Sequence, residues 1–205
     1  MLADTAVILA GGKSSRMGFD KQCIRLGDTL LIEQQVEQLQ SVFKEIIIIT
    51  NKPEHYQHLN CILAADELKD FGSLGGIHAG LKAASSEYCY FIACDMPHIN
   101  SDYILYMLGI IGKSGPFQAV ATRFGDWLEP FNAFYSKSLL PSIEQAYKDG
   151  RSKIGDMLAK AQTYYVEESE ARNFSPDWGM FDNINTQADL EAVKKSCSKI
   201  VKNNI

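Results

Sequence analysis

The chain has 205 residues, 46% of them hydrophobic and 22% charged, a composition that is typical of folded globular proteins and excludes global disorder. Its 20 Lys and Arg residues against 25 Asp and Glu residues give a net charge of −5, which argues against a protein that binds along nucleic acid. No apolar run approaches the ~20 residues of a membrane-spanning helix, and the first residues lack the basic segment of a secretory signal. The 5 cysteines include no C-x-x-C pair, which predicts reduced thiols and a cytoplasmic protein.

Apolar runs and helical stripes alternate along the chain from its beginning. The first run, Ala6 to Ala10, is short, unalternated and stopped by glycines, as in a strand that is buried on both faces. A predicted helix over residues 29–43 follows, and a second buried strand is predicted over residues 45–51. The apolar face of that helix is formed by Ile32, Val36, Leu39 and Phe43. These elements predict a βαβ unit with a right-handed crossover.

The alternation continues to the end of the chain. Further strands are predicted at 62–66, 88–94, 119–122 and 132–135, the last two being separated by a turn at Gly125-Asp126. Further helices are predicted at 73–84, 101–111, 139–148 and 187–201. Because no repeat or Pro/Gly-rich linker interrupts the pattern, the sequence predicts a single α/β domain over residues 1–205 with a mostly parallel central sheet. The tail from about residue 202 is expected to be flexible.

In a parallel sheet, ligands bind beyond the carboxyl ends of the strands. Four predicted strands end in candidate binding groups: Leu9-Ala10-Gly11-Gly12, Thr50-Asn51, Ala65-Asp66 and Cys94-Asp95. The rule therefore predicts that these distant parts of the sequence meet at one edge.

The segment from Gly11 to Lys21 carries the strongest local signal. Consecutive glycines let the backbone turn sharply and approach a ligand, and their N–H groups can bind an anion. Arg16 and Lys21 then supply charge for phosphate oxygens. The segment matches neither G-x-G-x-x-G nor G-x-x-x-x-G-K-[ST], so neither fingerprint explains it. The alternative is an ordinary glycine turn with solvated cations.

Acidic and amide side chains at the other strand ends have two interpretations each. Asp95 provides a hard oxygen ligand that suits Mg²⁺, or it is simply a turn or helix-capping acid. Asn51 and Asp66 make local turns, or they take part in binding a ligand at this edge of the sheet. Near the end of the chain, Thr186 caps the last helix, with Asp189 completing a reciprocal pair.

The combination of Leu9-Ala10-Gly11-Gly12, Arg16-Met17-Gly18 and Asp20-Lys21 resembles the signature of the molybdenum cofactor guanylyltransferases. The C-D-x-P run at Cys94 and the N-x-N-T run at Asn183 are similar to later motifs of that family. The resemblance implies a Rossmann-like three-layer α/β/α fold. It also implies that GMP passes from GTP to the terminal phosphate of molybdenum-molybdopterin with release of pyrophosphate, using Mg²⁺.

The resemblance assigns roles residue by residue. It implies catalytic roles for Asp95, Arg16 and Lys21, with Asp95 as the metal ligand. The implied nucleotide-binding set is Leu9, Ala10, Gly11, Gly12, Lys21, Asn51, Asp66 and Asp95. The implied residues for the pterin substrate are Asn183, Asn185 and Arg151, and which asparagine joins the metal is left open. Ser73 and Gln187 stand where the family has proline, which makes both helix starts less constrained.

The implied partners are GTP and molybdenum-molybdopterin, with molybdoenzymes or their chaperones as further candidates and no nucleic acid or membrane. Two alternatives stay open: a cytidylyltransferase acting on molybdopterin or another phosphorylated substrate, and a non-catalytic module that carries the cofactor. The presence of Arg16, Lys21 and Asp95 together argues against the second.

Overall fold

The computed structural model describes residues 2–11, 21–113 and 115–203. Nine strands lie within these ranges: β1 (Thr5–Leu9), β2 (Arg25–Leu26), β3 (Thr29–Leu30), β4 (Glu45–Ile49), β5 (Ile62–Ala64), β6 (Tyr88–Ala93), β7 (Ala119–Phe124), β8 (Trp127–Ser136) and β9 (Thr163–Glu167). The α-helices of the described residues are α1 (Leu31–Gln40), α2 (Ser73–Ala83), α3 (Ser101–Lys113), α4 (Leu140–Lys148), α5 (Ile154–Leu158), α6 (Glu168–Ala171) and α7 (Gln187–Asn203).

A central sheet of 7 strands runs in the order β5-β4-β1-β6-β8-β7-β9. All of its neighbouring strands pair in parallel except where β8 meets β6 and β7. The prediction of an α/β fold with a mostly parallel sheet is therefore confirmed. β8 runs against its neighbours because the turn at Gly125, with a φ of 55°, reverses the chain into a hairpin.

Several elements differ from their predicted bounds for physical reasons. The helix expected from residue 29 begins at Leu31, because Thr29–Leu30 pairs with Arg25–Leu26 as a short hairpin. β9 was absent from the sequence prediction, as was the short helix α5 that leads to it. α7 extends to Asn203, past the predicted start of the tail at 202, while residues 204–205 lie outside the described ranges.

Helices cover both faces of the sheet, so the fold has three layers. Alternate side chains of β1 point to opposite faces: Ala6 and Ile8 join one core, and Val7 and Leu9 join the other. α1 and α3 pack on the first face, and α2, α4 and α5 pack on the second. The strands are thus buried on both sides, as their unalternated apolar sequences predict.

Close packing between α2 and the sheet depends on glycine. An added Cβ at Gly80 would lie 2.7 Å from Phe91 and 2.8 Å from Val7, and both of these side chains are fully buried. The backbone of α2 therefore approaches β1 and β6 more closely than any residue with a side chain would allow.

We expect Gly80→Ala to destabilise the protein by about 1–3 kcal/mol, because overpacking a tight core forces neighbouring atoms apart. Gly109→Ala on α3 is the matched control, since its added Cβ meets nothing within 4 Å, and we expect it to be neutral or stabilising. Thermal or urea unfolding of both variants measures the difference. Equal stabilities for the two would contradict the close-packing argument.

Candidate functional site

The polar strand ends predicted from the sequence lie at one level of the sheet. Leu9 pairs with Ile49 and Ala93, and Ile49 pairs with Ala64. Pairing continues for one more residue, since Ala10 donates to Ile49 and Cys94 donates to Leu9. Two residues beyond the paired level stand Gly11, Asn51, Asp66 and Asp95. At about 4.8 Å per strand, the row extends for about 14 Å from Asp66 to Asp95.

Asp95 lies in a well-braced turn at the end of β6. Its carboxylate is 9% exposed. Its backbone carbonyl accepts a hydrogen bond from the Ile184 N–H at 2.8 Å. This bond docks the segment before α7 onto the strand end, so the two regions that carried separate sequence motifs meet here.

Lys21 joins those two regions through its side chain. Its ammonium group forms an ion pair with the Asp95 carboxylate and donates to the Asn185 Oδ1 at 2.9 Å. The residue follows the glycine segment in sequence and begins a 3₁₀ turn, Lys21–Cys23. Three segments that are far apart in the chain thus converge on one cation.

An apolar cluster lies close to this polar group in sequence and packs two of its segments, those of Lys21 and Asn185, against the start of α1. It contains Ile24, three residues after Lys21, and Ile184, directly before Asn185. Leu31 at the start of α1 belongs to the same cluster, and its N–H donates to the Ile24 carbonyl at 2.8 Å. The N-x-N-T motif does not reveal this support, because it assigns no role to Ile184.

Asp66 occupies the far end of the row, against the first turn of α2. Its carboxylate takes the space that a side chain at position 75 would fill, since an added Cβ at Gly75 would lie 2.3 Å from Oδ2. Burial raises the pKa of Asp66, and the hydrogen bond from the Leu68 N–H at 2.9 Å opposes the rise. Glycine in the first turn of the helix is a sequence signal for this close approach, but it does not identify Asp66 as the neighbour.

The other residues predicted to bind the nucleotide are buried, exposed or outside the described ranges. The side chains of Leu9 and Ala10 are buried, so a ligand can reach these residues only through the backbone, and the Ala10 N–H is already donated to Ile49. Gly11 and Asn51 are exposed at the sheet edge. Gly12 and Arg16 lie outside the described residues.

The predicted residues for the second substrate are spread more widely. Asn183 is half-buried, and its Nδ2 donates to the Phe181 carbonyl at 3.1 Å. Arg151 is exposed at the end of α4, and its guanidinium forms an ion pair with Asp149. Arg151 lines a cavity of about 340 Å³ between α4 and α5 together with Lys153 and Lys160. It does not share a hydrogen bond with the Lys21 group, whereas Asn185 does.

The predicted cap of the last helix is confirmed. Asp189 Oδ2 accepts from the N–H groups of Asn185 at 2.9 Å and Thr186 at 2.7 Å, and Thr186 Oγ1 accepts from the Asp189 N–H at 3.1 Å. These bonds lower the pKa of Asp189, with the Asn185 bond as the largest cause. The cap therefore also fixes the backbone of Asn185.

The oxygen donors around Lys21 fit a magnesium ion. Asp95 and Asn185 present a carboxylate and an amide oxygen to one positive charge, and both are hard donors of the kind that Mg²⁺ prefers. Within residues 2–11, 21–113 and 115–203 no cluster of 3 or more His, Cys, Asp or Glu side chains could hold a metal by itself. One carboxylate completed by substrate phosphates is the usual arrangement for Mg²⁺ in phosphate chemistry.

Comparisons with known proteins agree across most of the chain. A family profile described as the MobA-like NTP transferase domain matches residues 6–164. The molybdenum cofactor guanylyltransferase of Syntrophotalea carbinolica is 51% identical over 187 residues, covering 91% of this chain and 89% of that protein. A probable molybdenum cofactor guanylyltransferase of Peptoclostridium acidaminophilum is 49% identical over 193 residues, covering 92% and 87%.

A solved structure is similar over the same extent. The molybdopterin-guanine dinucleotide biosynthesis protein A of Archaeoglobus fulgidus superposes with a TM-score of 0.82 at 27% identity, covering 95% of this chain and 99% of that one. In the part of the chain that the structure describes, none of the helices has the length and apolar character that crossing a bilayer requires.

We expect Lys21→Met to destabilise the protein measurably, because the Asp95 carboxylate is 9% exposed and would lose its cationic partner. Lys44→Met is the matched control: Lys44 pairs with Asp4, but its side chain is 70% exposed, so its loss should cost less than about 1 kcal/mol. The melting temperatures of both variants at low salt provide the comparison. A smaller loss for Lys21→Met than for Lys44→Met would contradict a partly buried ion pair at this site.

Proposed function

The chain belongs to the MobA-like NTP transferase domain family, and from this premise we propose that it is a molybdenum cofactor guanylyltransferase. It transfers GMP from GTP to the terminal phosphate of molybdenum-molybdopterin, giving the guanine dinucleotide form of the cofactor and pyrophosphate. The observation that carries the proposal is the convergence of Lys21, Asp95 and Asn185 at the carboxyl edge of the sheet.

The reaction is an in-line displacement at the α-phosphorus of GTP. An oxygen of the acceptor phosphate forms a new P–O bond, the bond between the α-phosphorus and the bridging oxygen breaks, and its electron pair leaves with pyrophosphate. Because the attacking oxygen is already an anion, no general base is needed. The main obstacle is repulsion between two polyanions, so catalysis consists of alignment and charge neutralisation.

Lys21 supplies the charge that this reaction needs from the protein. Its ammonium group lies beside Asp95 at the carboxyl edge of the sheet, and its side chain is 26% exposed, so a phosphate oxygen can reach it from solvent. We assign it to the β- and γ-phosphates, where it stabilises the leaving pyrophosphate. Arg16 is proposed for the same role on the basis of its place in the motif.

We assign the magnesium site to Asp95, with Asn185 as the second oxygen donor. When bound there, Mg²⁺ would neutralise phosphate charge and activate the α-phosphorus toward attack. The chain's own contribution is to hold Asp95 in place, through the bond from the Ile184 N–H, and Asn185 in place, through the Asp189 cap.

Asp66 is the proposed reader of the guanine base. A carboxylate accepts from both N1–H and N2–H of guanine, whereas cytosine offers no such pair of neighbouring donors. Asp66 is fixed by the Leu68 N–H and by its contact with Gly75, so its orientation is set before the base arrives. Asn51, between Asp66 and Asp95 in the row, is assigned to the same nucleotide.

The acceptor side of the site is assigned to Asn183, Asn185 and Arg151, of which Asn185 lies nearest the reacting centre. Transfer to a molybdoenzyme or its chaperone would follow release of the product, and a cytoplasmic location suits that hand-over. The hand-over and the cytoplasmic location are both proposed from membership of the family.

The decisive experiment is turnover with molybdenum-molybdopterin and either GTP or CTP, with Mg²⁺ or EDTA, measured by pyrophosphate release. We expect release with GTP and Mg²⁺ only. Preference for CTP would replace the guanylyl assignment, and absence of release with every nucleotide would favour a cofactor-carrying module.

In the same assay, we expect Asp95→Asn to keep the fold and to lower kcat by about 100- to 1000-fold, because an electrostatic group at the reacting centre is removed. Asp4→Asn is the control, since Asp4 precedes β1 at the opposite edge of the sheet and pairs with Lys44. Turnover at the wild-type rate in Asp95→Asn would remove this carboxylate from the mechanism.

The raised pKa of Asp66 predicts a pH dependence of GTP binding. A protonated carboxyl cannot accept both guanine donors, so GTP affinity should begin to fall at a higher pH than it would with an aspartate of ordinary pKa, about 3.9. Calorimetric titration of wild type and Asp66→Asn in parallel separates this effect from protonation of the phosphates. In Asp66→Asn we expect the preference to move toward xanthosine triphosphate, whose 2-carbonyl accepts from an amide. Identical pH profiles for the two proteins would contradict the assignment.

A further inference from the structure

One buried side chain, Gln35 on α1, forms two hydrogen bonds with the backbone of the turn that carries Asp95. Its Nε2 donates to the Ala93 carbonyl at 3.0 Å and to the Met96 carbonyl at 2.8 Å. These two carbonyls flank Cys94 and Asp95 on either side. Gln35 is 1% exposed, so both bonds are shielded from competing water.

The chemistry fixes the orientation of this amide. Both neighbours of Nε2 are carbonyl oxygens, which only a donor can satisfy, and the opposite orientation would bring three acceptors together. Gln35 Oε1 is buried and accepts no hydrogen bond from the described residues. Among the described residues, Gln35 therefore leaves its amide oxygen without a partner while its Nε2 donates to both backbone carbonyls.

Packing does not account for a glutamine at this position. Gln35 lies between Leu31 and Leu39 on the buried face of α1, where the other buried residues are aliphatic. An unbranched apolar side chain would fill the same space without the unpartnered oxygen. What a hydrophobic residue lacks is a donor for the two carbonyls.

The turn needs such a donor because the sheet does not hold it on both sides. Pairing between β6 and β8 ends at Phe91 and Ala133, so the end of β6 is bonded to β1 alone among its neighbouring strands. α1 also holds the segment that follows Lys21, through the bond from the Leu31 N–H to the Ile24 carbonyl. One helix therefore sets the position of Asp95 relative to Lys21.

We propose that Gln35 is a positioning residue for nucleotidyl transfer, which holds the 93–96 turn so that Asp95 faces Lys21 and the incoming phosphates. The proposal rests on the function proposed above, because it assumes that Asp95 takes part in the reaction. Gln35 touches neither substrate and acts through the backbone of the turn.

The test compares Gln35→Met, Gln35→Glu and the control Gln38→Met, which removes an exposed glutamine from the same helix. We expect Gln35→Met to lower kcat by about 100-fold, since small displacements of reacting groups have effects of this size. The KM for GTP should change less than kcat, and the melting temperature should stay within about 4 °C. Gln35→Glu, which keeps the shape but faces the carbonyls with acceptors, should be slower still, and Gln38→Met should match wild type.

A second readout is independent of activity. Amide hydrogen exchange at Ile184, whose N–H is bonded to the Asp95 carbonyl, should be faster in Gln35→Met, while exchange at Phe43, bonded to Leu39, should not change. Lower kcat together with faster exchange at Ile184 supports the proposal. Lower kcat with unchanged exchange, faster exchange with unchanged kcat, or a general loss of stability would each overturn it. If the wild type itself lacked transferase activity, the proposed function would fail, and Ile184 exchange would still decide whether Gln35 holds the turn.

Discussion

The parallel register of four strands is the constraint on which the rest of the site depends. β5, β4, β1 and β6 end at a common level, so whatever residue stands two positions beyond each strand joins one row. Backbone hydrogen bonds between buried strands set this level, and these bonds are protected by helices on both faces. The packed core therefore fixes the relative positions of the four strand ends, and the loops that follow the strands supply the chemical groups.

The positions of the four residues in this row could be predicted from the sequence. Apolar runs show where the strands end, and the carboxyl ends of parallel strands lie at the same edge of a sheet. Gly11, Asn51, Asp66 and Asp95 were all identified in this way, and the α/β fold followed from the alternation of strands and helices. β9 escaped prediction, since its Thr, Tyr and Val residues form a short strand that is only partly buried at the edge of the sheet. Edge strands of this kind give a weak apolar signal.

Contacts between side chains were much harder to predict. That Lys21 reaches Asn185 across 164 positions of sequence depends on how the end of β6 docks onto the segment before α7, and no local pattern encodes that. Gln35 stands out in the sequence as a polar residue within an apolar helical stripe. That pattern does not show which backbone carbonyls its side chain contacts. Gly75 likewise marked a close approach without identifying Asp66 as its neighbour.

The cap of α7 has a consequence for how this edge of the sheet treats anions. Many phosphate sites use the exposed N–H groups at the beginning of a helix. Here the Asp189 carboxylate accepts from the N–H groups of Asn185 and Thr186 and places a negative charge in the first turn of α7. A phosphate close to Asn185 would meet this negative charge, so a cationic side chain such as Lys21 would have to attract it, and that attraction is weakened by salt. Such an arrangement suits a surface that has to release a charged product after each cycle.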